Sequence, residues 1–255
     1  MSIPLVFQKR IEEIRNDFIN GSSVITRNAL KILSDAVQYY DFSQKYSVLV
    51  IAQDLLTTKP QMAAPTNILK IFMSEFPKFS NNNDITFLIN KLESDLSTAT
   101  EDSKKICFDG LFGESNLSVM TCSFSSNVFD IIIKSGTSTS IYVLSSKWRS
   151  IDFGKIWQNK LEEYKIKCKI IEVNGKLPKI DFALIGADAV LHKGDVLNGT
   201  PSLNLAELME RNKYPTYVIA ESFKRCREIP ISDGFEYIPK NLVTKIFSDS
   251  IFNSI

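Results

Sequence analysis

The sequence is poor in the residues that build metal, redox and hydrolytic sites. Its 255 residues include four cysteines and a single histidine, His192, and no two cysteines form a Cys-x-x-Cys pair. Zinc binding by the usual ligands is therefore disfavoured, and we expect neither a metal nor another cofactor. Widely spaced cysteines are typical of reduced thiols, which predicts a cytoplasmic protein.

Long apolar runs and an excess of charge of one sign are missing as well. No run reaches the roughly 18 apolar residues of a membrane span, and the amino-terminal stretch turns amphipathic too soon for a signal peptide. There are 30 Lys and Arg residues against 29 Asp and Glu residues. Because nucleic-acid binders usually carry a basic excess, direct contact with nucleic acid is not expected.

Three common catalytic or nucleotide-binding motifs are absent from the sequence. It contains no Gly-x-x-x-x-Gly-Lys-Ser/Thr loop, no Gly-x-Gly-x-x-Gly turn and no Gly-x-Ser-x-Gly elbow. These absences disfavour hydrolysis of nucleoside triphosphates, dinucleotide chemistry and the α/β-hydrolase mechanism.

The first hundred residues do contain strong helical periodicity. Apolar residues recur three or four positions apart, as in "VITRNALKILSDAVQYY", whose helix we expect Ser22 or Ser23 to cap. Residues 44–56 are interpreted as a helix, with a strand over 46–52 as the alternative. The pattern predicts a helical N-terminal domain over residues 1–104.

After about Lys105, short apolar runs alternate with helical patterns. The runs are "NLSVMTC", "SIYVLSS", "CKIIEVN", "DFALIGA" and "PTYVIAES". Nearly continuous apolarity is typical of strands buried on both faces, and the intervening segments have the length of helical crossovers. Residues 105–255 are therefore predicted to form a right-handed, doubly wound α/β domain with a parallel sheet. Ligands of such domains bind outside the carboxyl ends of the strands.

Polar residues follow two of the predicted strands. Ser125 and Ser126 enter a helix after "VMTCS", where Ser125 is either a plain helix cap or a contact to an anion such as phosphate. Asp188 closes "DFALIGA". It could accept a proton from a substrate hydroxyl if burial raised its pKa, or it could only accept hydrogen bonds from the turn "HKGD".

Several of these stretches together resemble a known family. "IGADAVLHKGDVLN", "YVIAESFK" and "VMTCSFSS" resemble the alpha, beta and delta regulatory subunits of eukaryotic initiation factor two-B and their archaeal relatives. Methylthioribose-1-phosphate isomerase and ribose-1,5-bisphosphate isomerase belong to the same superfamily. The resemblance covers nearly the whole chain, and it implies a Rossmann-like C-terminal domain that forms a dimer.

The resemblance implies site residues only where this sequence keeps the pattern. The isomerases use a cysteine and an aspartate. Asp188 matches the aspartate and Asn198 a following asparagine, but Ser123 stands at the cysteine position. Cys122 lies one position early, and because successive strand residues point to opposite faces it is not expected to replace that cysteine unless the strand bulges.

The phosphate-binding positions also depart from the isomerase pattern. Asn20 stands before the glycine turn where an arginine is expected, Lys59 replaces an arginine without its bidentate fork, and Gly199 replaces a lysine. The ligand-binding candidates are Gly21, Ser22, Lys59, Ser125, Ser126, Arg149, Asn198, Glu221 and Lys224. Ser125 and Ser126 follow from their place between a strand and a helix, and the others follow from the resemblance. Glu221 and a solvated Lys224 are alternatively interpreted as surface residues. Trp148 is interpreted as an anchor at a dimer or domain interface.

The departures favour a protein without catalysis. We expect a regulatory subunit that forms a homodimer through its C-terminal domain, binds translation-factor proteins, and holds a nucleotide or a sugar phosphate. The alternative is an aldose-ketose isomerase in which Asp188 is the acid/base and Ser123 or Cys122 assists. A ligand-binding protein without a link to translation is a third possibility.

Overall fold

A computed structural model describes residues 3–113, 116–173, 175 and 177–250. The amino-terminal part consists of five helices, as the periodicity predicts. They are α1 Leu5–Arg15, α2 Ser22–Tyr39, α3 Tyr46–Leu56, α4 Ala63–Glu75 and α5 Asn82–Leu111. The segment that could have been a strand is the helix α3, and its apolar side chains are buried in the helical core.

The predicted cap of α2 is wrong, and the reason bears on the site. Gly21 is the N-cap residue, in an extended conformation, and both Ser22 and Ser23 lie inside the first turn of the helix. Their hydroxyl groups are therefore not used to close the helix end and can point elsewhere.

The carboxyl-terminal part alternates strands and helices. The elements are β1 Ser118–Thr121, α6 Ser126–Ser135, β2 Ser140–Leu144, β3 Lys147–Trp148, β4 Ile151–Asp152, α7 Phe153–Glu162, β5 Cys168–Ile171, β6 Phe182–Ile185, β7 Ala189–Leu191, β8 Val196–Gly199, α8 Ser202–Arg211, β9 Thr216–Ile219, β10 Arg225–Cys226, β11 Phe235–Ile238 and β12 Lys245–Phe247. All five predicted apolar runs are strands of one sheet.

That main sheet is parallel and doubly wound. Its strand order is β12-β9-β6-β1-β2-β5, and each neighbouring pair is parallel. The chain winds outward from β1 to β5 on one side and from β6 to β12 on the other, so the switch point lies between β1 and β6. Ligands of such sheets bind outside the carboxyl ends of the strands at this point. A second sheet, β10-β7-β8-β11, follows β6.

Helix α5 connects the helices to the sheet. At 30 residues it is about 45 Å long. Ile85 to Leu96 contribute to the core of the helices, and Cys107 contributes to the core on one face of the main sheet. The predicted division between residues 104 and 105 falls inside this helix, and the assignment of two domains stays a prediction. No helix within the described ranges is long and apolar enough to cross a membrane.

Candidate functional site

A small crevice lies at the switch point of the sheet, between the helices and the strand ends. Its volume is about 70 Å³. Nine of the twelve residues predicted from the sequence line it: Gly21, Ser22, Lys59, Ser123, Ser125, Ser126, Asp188, Asn198 and Lys224. Cys122, Arg149 and Glu221 do not. Residues from both ends of the chain therefore meet at one place.

The floor of the crevice is built by the turn after β1. Ser123 has a φ of 45°, in the left-handed region that a serine seldom adopts. The indole N–H of the buried Trp157 donates a hydrogen bond to its carbonyl oxygen. Ser125 accepts from the Val128 N–H at 3.5 Å and so caps α6, while its side chain also lines the crevice. Ser125 therefore caps the helix and lines the crevice at the same time, so the two interpretations of this residue do not exclude each other.

Gly186, just after β6, lets this turn approach closely. A Cβ atom at this position would lie 2.5 Å from the Ser125 hydroxyl oxygen and 2.8 Å from its Cβ. Any larger residue would push the start of α6 away from the sheet.

Asp188 is held between the helices and the second sheet. Its N–H donates to the Leu197 carbonyl and its own carbonyl accepts from the Ala63 N–H of α4, both at 2.9 Å. Its carboxylate accepts from the Ser22 N–H at the start of α2. Within the turn 192–195, the carboxylate that pairs with Lys193 is that of Asp195, which also accepts from the Lys240 N–H outside the turn at 3.0 Å. Asp188 therefore faces the crevice and not the turn.

Burial raises the pKa of Asp188 to about 6. Lys224 acts in the opposite direction, Glu221 reinforces the rise, and the Ser22 N–H and Lys59 again favour the ionised form. The carboxyl group therefore titrates near neutral pH, as a general acid or base requires.

This raised pKa predicts how stability changes with pH. The folded protein holds the Asp188 proton more tightly than the unfolded chain does. The stabilisation that this proton gives the folded state is therefore present in full below pH 4 and is lost as pH rises through about 6. The loss should be about 3 kcal/mol. In urea unfolding between about pH 4 and 8, Asp188→Asn should gain stability relative to the original protein as pH rises, and the gain should level off above about pH 7. A constant difference across this range would contradict the assignment.

Glu221 and Lys224 form a buried ion pair beside Asp188. The distance from Lys224 Nζ to Glu221 Oε2 is 3.1 Å, and the two side chains are 4% (Lys224) and 0% (Glu221) exposed. The Ser23 hydroxyl donates to the other oxygen of Glu221 at 2.9 Å. The interpretation of these residues as surface residues with a solvated lysine is wrong, because the helices cover them.

On its helical side, the crevice is lined by the start of α2 and by the loop before α4. The Lys59 ammonium donates to the Arg15 carbonyl at 2.9 Å and lies 4.3 Å from the centre of the Phe18 ring. Burial lowers the pKa of Lys59, while Asp17 and Asp188 act in the opposite direction. Among the described residues, the hydroxyl of Ser22 is buried without a hydrogen-bond partner.

Two aromatic side chains line the crevice and contact each other: Trp148, which the sequence singled out as an interface anchor, and Phe18, which it did not. Phe18, in the loop between α1 and α2, contacts Trp148 edge to face with 5.1 Å between ring centres. Trp148 lies on Gly234, whose φ is 84° and where a Cβ would come within 2.6 Å of the indole. Arg149 is outside the crevice, with its guanidinium 4.3 Å from the Trp148 ring centre and 4.8 Å from that of Phe18. Trp148 thus connects the loop between α1 and α2 with Gly234, which precedes β11 of the second sheet.

Cys122 lies on the other side of the strand end from Ser123. Its side chain is in the core with Met120 and Ala206. Its sulfur is 3.4 Å from the Ser202 hydroxyl, which also accepts from Asn198. Burial raises the pKa of the thiol to about 12, so it stays protonated at neutral pH. The portion of the chain that the structure describes contains no cluster of three or more His, Cys, Asp or Glu residues arranged to hold a metal.

These features define a class of protein in which a helical bundle covers a doubly wound parallel sheet, with a small polar crevice at the switch point of the sheet. The family model described as "Initiation factor 2 subunit family" matches residues 18–250. The chain belongs to this family.

A curated relative agrees with this assignment, and two solved structures share the fold. A protein of Pyrococcus furiosus described as translation initiation factor eIF-2B subunit 2-like is 24% identical over 230 residues, which are 87% of this chain and 80% of that protein. The crystal structure of translation initiation factor eIF-2B from Pyrococcus horikoshii has a TM-score of 0.81 at 18% identity and covers 96% of both chains. The tetrameric eIF2B-beta2-delta2 complex from C. thermophilum has a TM-score of 0.74 at 16% identity, over 98% of this chain and 90% of that one. The predicted fold class is confirmed.

Proposed function

We propose that the protein is a non-catalytic regulatory subunit of the initiation factor two-B type that holds a nucleotide or a sugar phosphate in the crevice. The observation that carries the proposal is made at Ser22, a residue that lines the crevice and whose buried hydroxyl has no hydrogen-bond partner within the described residues. A buried polar group left unpaired costs about 1–3 kcal/mol, so a ligand oxygen that accepts this hydrogen bond would recover that free energy.

The charges around Ser22 suit a phosphate. Helices α2 and α6 both begin at the crevice, so their positive dipole ends and first N–H groups converge there. Lys59 and Lys224 add two ammonium groups. Asp188 and the nearby Glu221 oppose an anion, and we expect binding to be favoured when Asp188 is protonated.

The crevice must open for such a ligand to enter. Its volume of about 70 Å³ is well below the roughly 300 Å³ at which ligand pockets begin. Phe18 and Trp148 close the mouth, one from the helical side and one from the sheet side. We expect the crevice to enlarge when these rings move away from each other, a change that leaves the main sheet intact because neither residue belongs to it.

Two adjacent serines provide the test. Ser22→Ala removes a hydroxyl without a described partner, so stability should be unchanged or slightly higher, while affinity for a phosphorylated ligand should fall about fivefold to tenfold. Ser23→Ala removes a hydroxyl of the same size that binds Glu221, so it should lower stability by about 1 kcal/mol. Calorimetric titrations with ribose 1,5-bisphosphate, methylthioribose 1-phosphate and adenosine monophosphate would measure both variants. Equal affinity in Ser22→Ala and the original protein, or no binding of any of the three at millimolar concentration, would contradict the proposal.

The serine at position 123, where the isomerases have a cysteine, supports the absence of catalysis. The isomerases use a cysteine at the position of Ser123, and a serine hydroxyl is a much weaker acid and nucleophile than a thiol. Cys122 cannot take over, because its protonated thiol lies in the core beside Ser202.

One observation favours the alternative of a sugar-phosphate isomerase. Asp188 is buried in the crevice with a pKa raised to about 6, which suits proton transfer between neighbouring carbons of a sugar. A proton NMR time course with ribose 1,5-bisphosphate and methylthioribose 1-phosphate separates the two functions. Conversion to the ketose that disappears in Asp188→Asn would make the protein an isomerase, and no conversion at equal concentrations of protein and substrate would support the regulatory function.

We further propose that the protein acts in the cytoplasm as a homodimer formed through its carboxyl-terminal half, and that it binds translation-factor proteins. Membership of the family supports this, as does the subunit complex known for the C. thermophilum relatives.

A further inference from the structure

A second cavity lies between the free edges of the two sheets. Its volume is about 560 Å³, and it shares no lining residue with the crevice. One wall is the consecutive stretch 243–250, which contains β12. The opposite wall consists of residues 190–194, after the start of β7, together with Arg225 of β10. We call this cavity the edge groove.

Basic residues outnumber acidic ones along the edge groove, in a protein that is almost neutral. Lys193, Arg225, Lys240 and Lys245 line it, together with His192, and Asp249 is the acidic residue among its lining. The Asp249 carboxylate is occupied by the N–H and hydroxyl of Ser222, both at 2.7 Å. Asp195 offsets Lys193 at 3.0 Å. Lys240 and Lys245 form no ion pair within the described residues, so these two lysines supply the positive charge of the groove.

The floor of the groove is apolar. Val190, Ile246 and Phe247 line it, and Ile106 of α5 contributes a side chain that is 43% exposed. A partner would therefore need acidic groups for the rim and apolar groups for the floor.

The backbone of β12 adds a third feature. β12 is the last strand of the main sheet and pairs with β9 on one side. No strand among the described residues pairs with its other side, and residues 245–247 of β12 line the groove, so the unpaired edge of the strand lies at the groove. An added strand could bind to them and would present alternate side chains to the floor and to the rim.

We propose that the edge groove binds an extended protein segment in which acidic and apolar residues alternate, and that this segment adds to the outer edge of β12. The proposal does not depend on the ligand of the crevice, because the two sites have no residue in common. Charge complementarity decides the class of partner: acidic side chains meet Lys240 and Lys245, and apolar ones cover Ile106 and Ile246.

The test uses a labelled eight-residue peptide of alternating Glu and Val, with fluorescence anisotropy on the full chain. Three further probes are compared: the same peptide with Lys for Glu, the acidic peptide with N-methylated alternate amides, and a single-stranded oligonucleotide of ten residues. The double variant Lys240→Glu/Lys245→Glu should weaken binding of the acidic peptide about tenfold. Lys169→Glu is the matched control, since Lys169 is an exposed lysine on β5, at the opposite edge of the same sheet.

The outcomes separate the occupants. Four results together would support the proposal. The acidic peptide binds, the peptide with Lys for Glu does not bind, N-methylation weakens binding, and Lys169→Glu leaves the affinity for the acidic peptide unchanged. Preference for the oligonucleotide, equal binding of the N-methylated peptide, or unchanged affinity in the double variant would overturn it. If charge reversal disturbs folding, Lys240→Gln/Lys245→Gln should still give a weaker loss in the same direction. Sedimentation of the original protein and of the double variant tests for a second copy in the groove. Because the homodimer proposed above already predicts self-association, only self-association that is lost in Lys240→Glu/Lys245→Glu and kept in Lys169→Glu would place a second copy there and overturn the proposal.

Discussion

Replacing Lys224 with methionine should lower the free energy of unfolding by about 3–5 kcal/mol at about pH 8. The substitution keeps the length of the side chain but removes the cation between Glu221, at 3.1 Å, and Asp188. Two buried carboxylates would then face each other without a counter-charge, and Lys59 at the far side of the crevice would compensate for only some of the lost charge.

The same variant should become less defective in acid. Without Lys224 the pKa of Asp188 rises beyond its present value of about 6, because the cation favours the ionised form. Protonation of Asp188 removes the repulsion, so the loss of stability should shrink as pH falls from about 8 to about 5. Urea unfolding at the two pH values measures the difference. Lys91→Met, on the exposed side of α5, should change stability by less than about 0.5 kcal/mol. A loss in Lys224→Met that is equally large in acid and in base would show that packing, and not charge, determines its effect.

Replacing Trp157 with alanine should cost a similar amount, about 3–5 kcal/mol, for a different reason. The indole is fully buried and contacts Phe124 and Phe129, with ring centres 5.3 and 5.8 Å away. Its N–H also binds the Ser123 carbonyl. Alanine would leave a cavity in the core and would remove the donor that holds the Ser123 turn at the floor of the crevice.

Two further variants separate packing from the hydrogen bond. Trp157→Phe keeps most of the apolar volume and should lose about 1–2 kcal/mol, together with affinity for a phosphorylated ligand, because the Ser123 turn loses its support. Phe87→Ala, at a side chain that is 72% exposed, is the control and should change neither property. Thermal unfolding and the calorimetric titrations measure both effects. Full ligand affinity in Trp157→Phe would mean that the turn holds its conformation without the indole.

Much of the fold follows from local patterns in the sequence. Apolar residues at helical spacing determine α2 and α5, and nearly continuous apolar runs determine the five parallel strands predicted, because each pattern is repeated within one element. The placement of Ser125 and Asp188 near each other also follows from sequence, since the carboxyl ends of parallel strands meet at one edge. The helix caps were less predictable: Gly21 is the N-cap of α2, and Asn81 is the N-cap of α5, where it accepts from the Asp84 N–H at 3.0 Å. A shift of one or two residues leaves a local pattern nearly unchanged.

The sequence by itself determined the fold class and nine of the 25 residues that line the crevice. Only the tertiary structure decided their chemistry. The hydrogen bond from Ser23 to Glu221 joins positions 198 residues apart, and no periodicity carries information over such a distance. Burial of Lys224, closure of the mouth by Phe18 and Trp148, the unpartnered hydroxyl of Ser22 and the edge groove all arise where separate elements pack together. Exposure and charge balance are properties of that packing, so they could be known only once the helices had been placed on the sheet.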